Sequence, residues 1–320
     1  MTMERVFDSI VNFGKKWEKG VCLAVGMFDG VHCGHRKVLD LAVDEAQSCS
    51  GTAVALSFPQ HPASYLRPGN EPPLLMSSME KADSLLACGM NAVILQPFDQ
   101  LLATLEAEQF LPYLREHIPV LASVSVGENF RFGKKRMGDS LALKQMGKTD
   151  GIKVRVAQSL ILNESPVSSS RIRGALSEGK ISEVTQMLGR CYKVKGKVIS
   201  GKALGGTLGF PTLNLEWNPQ ARPALGVYVG RVKEINTGEE MPAVANYGFR
   251  PTVENRAEVP LLEIHCLEQP DISIWREGAA LEMQFDTFLR PEMKFADLDE
   301  LSAQITKDCT TARSLFAELL

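Results

Sequence analysis

The chain has 320 residues, of which 44% belong to the AVILMFWYC set and 23% are charged; that is an ordinary globular mixture, and it excludes disordered, collagen-like and coiled-coil classes. Thirty-five Lys and Arg against 38 Asp and Glu leave a formal charge of −3, so there is no global positive field to hold nucleic acid or an anionic membrane, and a bound anion must be gripped locally. At roughly 100–200 residues per domain the length predicts two domains.

The opening Met1-Thr2-Met3-Glu4-Arg5 lacks the basic start and apolar run of a secretory signal, and no apolar run approaches the roughly 20 residues of a bilayer span; a cytoplasmic address is the expectation. From residue 21 to about 165, short β-branched runs alternate with stretches of helical apolar spacing, the pattern of a parallel sheet with crossover helices. The expected strands are Val21–Gly26, Thr52–Phe58, Ala92–Phe98, Val120–Gly127 and Ile152–Leu162, five in all. Val38, Leu39, Ala42, Val43 and Ala46 mark one helical face, and Phe110, Leu111 and Leu114 another. After Gly189 the texture changes to strands separated by Gly, Pro and Asn: Tyr192–Ile199, Gly226–Ile235, Met241–Tyr247, Pro260–Leu267 and Ala280–Leu289, which predicts an antiparallel barrel or sandwich. Asp297–Leu320 carries a helical stripe, with Asp297 and Glu300 spaced as a capping box. Seven cysteines, an odd number without a C-x-x-C pair, make a disulfide framework or zinc cluster improbable.

The first chemical constellation is Gly26-Met27-Phe28-Asp29-Gly30-Val31-His32-Cys33-Gly34-His35, at the end of the first expected strand. In a parallel sheet that corner is where ligands bind, and helix N-terminal amides there favour an anion. His32 and His35 stand on one side of the first helical turn, and flanking glycines let a phosphate approach the backbone. Taken alone, H-x-x-H is also compatible with an incidental helix start or half a zinc site. The missing H-E-x-x-H glutamate and the flanking glycines suit a polyphosphate clamp better.

This run resembles the signature of the bacterial bifunctional riboflavin kinase/FMN adenylyltransferases, or FAD synthetases, a branch of the H-x-G-H nucleotidylyltransferases. The likeness extends to Ser57-Phe58-Pro59-Gln60-His61-Pro62, to Val126-Gly127-Glu128-Asn129-Phe130-Arg131-Phe132-Gly133, and to Ser168-Ser169-Ser170-Arg171-Ile172-Arg173, where Ser170 stands in place of the usual Thr. The resemblance implies catalytic His32 and His35, with ATP phosphates held by Gly26, Phe28, Asp29, Gly34, Asn129, Ser169, Ser170, Arg171 and Arg173. It implies flavin contacts at Phe58, His61, Phe130 and Arg131.

The second constellation is the glycine-rich run Gly201–Asn214, which does not match a Walker loop. Thr212 and Asn214 alternate along an extended segment and share a side; the run reads either as a phosphate and magnesium loop or as a hairpin leading into an edge strand. Gly209-Phe210-Pro211-Thr212-Leu213-Asn214 resembles the kinase motif G-F-P-T-x-N of the same family. Asn246-Tyr247-Gly248-Phe249-Arg250-Pro251-Thr252, Glu263-Ile264-His265 and Phe288-Leu289-Arg290 resemble its later segments. By resemblance Thr212 and Asn214 hold Mg2+, Lys202, Gly205 and Gly209 hold ATP phosphates, Arg290 contacts flavin, and Glu263 is the general base, although a lone strand Glu is otherwise a surface carboxylate. Two departures, Gly206 where Arg is usual and Ile274-Trp275-Arg276 where Leu-Tyr-Gly is usual, bear on kinase rate and nucleotide affinity.

The expected architecture is an α/β Rossmann-like nucleotidylyltransferase domain with a parallel sheet (1–186), followed by an antiparallel β-barrel riboflavin kinase domain with a C-terminal helix (187–320). The expected substrates are riboflavin, FMN and ATP with Mg2+, and the products FMN and FAD. No nucleic-acid, membrane or obligatory protein partner is implied. A single-activity FMN adenylyltransferase with a flavin-binding barrel and a flavin-responsive regulatory protein are the alternatives.

Overall fold

A computed structural model describes residues 5–14, 17, 19–200, 209–249, 260–268, 271 and 274–317. The chain divides into two compact units, Met1–Arg171 and Ile172–Leu320.

In the first unit β1 (Val6–Phe7), β2 (Val21–Val25), β3 (Thr52–Ser57), β4 (Ala92–Leu95), β5 (Leu121–Gly127) and β6 (Lys153–Ala157) form one sheet in the order β1-β4-β3-β2-β5-β6. Each adjacent pair is parallel. Five strands were expected and six are present, because β1 has two residues, too few to show a period of two. The last expected strand is also shorter: it ends at Ala157, and Ile161–Leu162 pairs with Ser165–Pro166 in a separate hairpin. Strand β2 is buried along its whole length. Val21, Leu23 and Val25 enter one core with Phe13, Leu111 and Leu114, while Cys22 and Ala24 enter another with Leu39, Ala42 and Leu85. Both faces are therefore covered, which is why the strand reads as a continuous apolar run rather than an alternation.

The covering helices include α1 (Cys33–Ser48), α2 (Ser78–Ala87), α3 (Phe110–His117) and α4 (Ser140–Asp150). From β2 the chain moves through β3 to β4 on one side, then crosses to β5 on the other. The carboxyl ends of β2 and β5 thus flank the point where strand order reverses, the crevice where open parallel sheets take ligands.

Two helices follow, α5 (Ser169–Ser177) and α6 (Ile181–Leu188), and the expected boundary at 186/187 falls inside α6. In the second unit α6 packs on β7 (Tyr192–Ile199). With β8 (Leu213–Glu216), β9 (Gly226–Glu234), β10 (Glu240–Gly248), β11 (Leu261–Cys266) and β12 (Ala280–Pro291) this strand closes an antiparallel barrel in the order β7-β8-β11-β10-β9-β12. Its interior takes Tyr228, Tyr247, Leu262, Ile264 and Phe285, all fully buried. The last helix, α7 (Leu298–Ala317), packs Cys309 and Ala312 on Val227, Val229 and Val244 of the barrel wall. Asp297 caps it by accepting from Glu300 N at 2.8 Å, while the Glu300 carboxylate accepts from Ala296 N, one residue earlier than in a capping box. Among the described residues no helix is long and apolar enough to cross a membrane.

Candidate active sites

The turn after β2 is conformationally unusual. Gly26 N donates to Leu56 O, closing the strand end, and then Phe28 (φ 49°), Gly30 (φ 82°) and Val31 (φ 38°) all take positive φ. For a phenylalanine and a β-branched valine this is a costly conformation that persists where surrounding structure enforces it, commonly at functional sites. Asp29 supplies part of that enforcement: its buried carboxylate accepts from Leu75 N at 2.9 and 3.2 Å, and its carbonyl accepts from Ser169 Oγ at 2.9 Å.

His32 caps α1, its Nδ1 accepting from His35 N at 3.1 Å. An accepting Nδ1 puts the proton of a neutral imidazole on Nε2. The two imidazoles stack with centroids 3.5 Å apart, and the Phe28 ring meets His35 edge-on at 5.3 Å. Gly34 permits this stack: a Cβ there would stand 3.1 Å from His32 Cε1. Burial, then His32 and Lys81, push the His35 pKa well below its ordinary value, so the ring is neutral. Among the described residues its buried Nδ1 has no hydrogen-bond partner.

Sequence reasoning missed Lys81, on the buried face of α2. Its Nζ donates to the carbonyls of Phe58 and Met27, joining the ends of β3 and β2. The missed signal was its position four residues before Leu85, on the buried stripe of that helix.

The structure thus gathers Gly26, Phe28, Asp29, His32, Gly34, His35 and Ser169 at one corner. Several of the remaining expected residues have other partners. Phe58 meets Phe98 at 5.9 Å, and His61 caps the short helix Pro62–Leu66 through Nδ1. Asn129, exposed after β5, donates to Ser159 Oγ at 3.3 Å. Phe130 stacks on Phe132 and packs against the core, while exposed Arg131 donates to Phe130 O. Arg171 donates to Leu162 O and Ser165 O, tying the start of α5 to the hairpin. Ser170 is exposed and Arg173 half-buried on the same helix.

In the barrel, antiparallel register places Asn214 opposite Glu263 and Glu263 opposite Asn246. Directly opposed residues share a sheet face. Leu262 and Ile264 fill the interior, so Asn214, Glu263 and Asn246 form a polar row on the outer face of three adjacent strands. Two residues along β11, His265 Nδ1 lies 2.9 Å from Pro211 O and its ring meets Phe210 edge-on, which fixes the chain just before Thr212. Gly209, at φ 83°, opens that segment. Lys202, Gly205, Gly206 and Arg250–Thr252 lie outside the described residues.

Arg290 forks onto Asp308 of α7, with Nε at 3.1 and 3.0 Å and Nη2 at 2.7 Å. Gln304 completes the Asp308 carboxylate. The side chains are 17% and 6% exposed, so Asp308→Ala is expected to lower barrel stability by about 3 kcal/mol, the scale for stranding a buried charge, as measured by urea unfolding. Trp275, one of the departures from the family pattern, is buried and donates Nε1–H to Glu239 at 2.7 Å.

A strand-to-helix corner carrying two histidines at the switch point of a parallel sheet, followed by a closed six-stranded barrel with a polar outer row, is the arrangement of a two-unit enzyme that the comparisons with known proteins then specify. A family model described as FAD synthetase matches residues 14–171 and one described as riboflavin kinase matches 188–316. The chain is 33% identical over 314 residues to the bifunctional riboflavin kinase/FMN adenylyltransferase of Escherichia coli (strain K12), covering 98% of both. It is 35% identical to the protein of that description in Haemophilus influenzae, covering 93% of this chain and 95% of that one. For the Bacillus subtilis protein the identity is 33%, with 93% of each covered. A crystal structure described as a macrolide-efflux protein from Streptococcus pneumoniae superposes with a TM-score of 0.83 at 24% identity over 96% of this chain and 98% of that one, a likeness of fold. The chain belongs to the bifunctional riboflavin kinase/FMN adenylyltransferase family.

Proposed function

We propose that the chain phosphorylates riboflavin to FMN with ATP in its barrel unit and adenylylates FMN to FAD with ATP in its parallel-sheet unit, releasing pyrophosphate. The observation that carries this reading is that both family matches occur in this order, one covering most of the parallel-sheet unit and the other most of the barrel unit.

In adenylyl transfer an FMN phosphate oxygen attacks the α-phosphorus of ATP and the bond to pyrophosphate breaks. His32 and His35 are hydrogen-bond donors to the phosphates as charge accumulates on them, and stabilisation comes from donors held in place beforehand. The amides opening α1, the turn Gly26–Asp29, Gly34, Asn129, Ser169, Ser170, Arg171 and Arg173 complete the phosphate grip. Phe58, His61, Phe130 and Arg131 are the proposed flavin contacts.

In the barrel, Glu263 takes the proton of the ribityl 5′-hydroxyl as that oxygen attacks the γ-phosphorus of ATP and the bond from that phosphorus to the bridging oxygen breaks, ADP leaving. Thr212 and Asn214 are the proposed holders of Mg2+, with Lys202, Gly205 and Gly209 on the ATP phosphates. The side chains of Thr212 and Asn214 offer a hydroxyl and an amide oxygen, hard oxygen donors of the kind this cation takes, so the residues fit it. When bound, the ion offsets charge on the phosphate oxygens. Arg290, held by Asp308 at the strand end beside α7, is the proposed flavin contact of the barrel. A cytoplasmic location is part of this reading. No nucleic-acid, membrane or obligatory protein partner enters this reading.

The test is to incubate the protein with riboflavin, Mg2+ and ATP and follow flavins by chromatography: FMN should appear first and FAD after it. FAD from added FMN without any FMN from riboflavin would reduce the barrel to a flavin-binding module, and neither product would overturn the reading. The functional boundary is proposed at 186/187. Since Ile181 and Val184 of α6 are buried, a barrel fragment beginning at Lys180 is expected to melt at a higher temperature than one beginning at Met187, and each is expected to make FMN and no FAD.

A further inference from the structure

Lys81 is 1% exposed, as buried as the core leucines around it. A buried ammonium is costly unless partnered, and an apolar residue of similar volume would serve packing equally well. The partners here are specific. Nζ donates to Met27 O at 3.3 Å and to Phe58 O, the carbonyls just beyond β2 and β3, and the Asp29 carboxylate favours its charged form against burial, which brings its pKa down to about 8. Met27 O also accepts from Ser57 Oγ at 2.8 Å, so one carbonyl at the head of the turn is gripped from two elements. That turn carries the positive φ values of Phe28 and Val31, and the two histidines follow it directly.

We infer that Lys81 is a positioning residue for adenylyl transfer: by tying the Met27 and Phe58 carbonyls together it holds the Met27–Val31 turn in the strained form that sets His32 and His35 against the phosphates. It acts through the turn and does not touch substrate. The inference rests on the adenylyltransferase reading of this site.

The test uses the full chain with Lys81→Met, which keeps length and removes charge and donors, and Lys81→Gln, which keeps a donor. In the Met variant kcat for FAD formation from FMN and ATP should fall about tenfold to a hundredfold, the scale of a misplaced catalytic group, while KM for both substrates stays within about threefold because the loss is confined to the transition state. The Gln variant should fall between the Met variant and the unmodified protein. FMN formation from riboflavin should be unchanged and reports that the protein is folded. A retained kcat in the Met variant, or a raised KM at unchanged kcat, overturns the inference. If the Met variant fails to fold, the Gln variant decides by the same two measurements. If the unmodified protein makes no FAD, the adenylyltransferase reading and this inference fall together; if it makes FAD and both variants match it, the inference alone falls.

Discussion

His35→Ala is expected to slow FAD formation from added FMN by two orders of magnitude or more, the loss of about 2.7–4 kcal/mol that follows removal of one preorganised donor. The imidazole is held neutral by burial and by His32 and Lys81, and it lies against the His32 ring at 3.5 Å with a buried nitrogen unsatisfied by protein. A buried polar atom without a protein partner is one that a water, a ligand or a catalytic role completes. Truncation to Ala removes the donor and the stack together, yet leaves the His32 cap intact, because that cap uses the backbone N–H of residue 35. Helix α1 should therefore persist, and circular dichroism should match the unmodified protein. FMN formation from riboflavin should be retained, since the residues proposed for that step all lie in the barrel unit. FAD formation at the normal rate in this variant would remove the phosphate clamp.

Glu263→Gln preserves shape and removes basicity. FMN formation is expected to fall by about 10²–10⁴-fold, the usual contribution of a general base, with the loss in kcat and with KM for riboflavin and ATP little changed. Gln retains a side-chain carbonyl and gains an amide, so the polar row with Asn214 and Asn246 keeps hydrogen-bonding capacity. Adenylylation of added FMN should be unaffected. Near-normal kinase turnover would eliminate Glu263 as the base, and equal losses in both activities would mean that the two reactions depend on one another.

Much of the first site is legible in the sequence because its residues are contiguous: the turn, the cap and both histidines lie within Gly26–His35, and the end of an apolar run marks the strand end beside them. Lys81 is not legible in that way. Its partners are backbone carbonyls distant in the chain, and a lysine on a helix ordinarily reads as solvated. In the barrel the strands are visible through their alternation, but the alignment of Asn214, Glu263 and Asn246 depends on register, which pairing across the barrel fixes. The Arg290–Asp308 fork is likewise long-range: the family motif draws attention to Arg290, while Asp308 reads as one more acid on an amphipathic helix. Strand β1 escapes for a simpler reason, since two residues paired to β4 carry no periodic signal.

The pleat of β11 gives the proposed base an unusual guardian. Leu262 and Ile264, the residues on either side of Glu263, are fully buried inside the barrel, so a slip of one position would turn the carboxylate into the oily interior and push a leucine or isoleucine outward. The chemical function of this strand is thus written in a reading frame whose punctuation is hydrophobic. Insertions and deletions that shift the frame extinguish both the core and the chemistry, whereas a change of identity at Glu263 leaves the frame untouched. A substitution along this strand therefore acts at one position, whereas a change in residue count acts on every position that follows it.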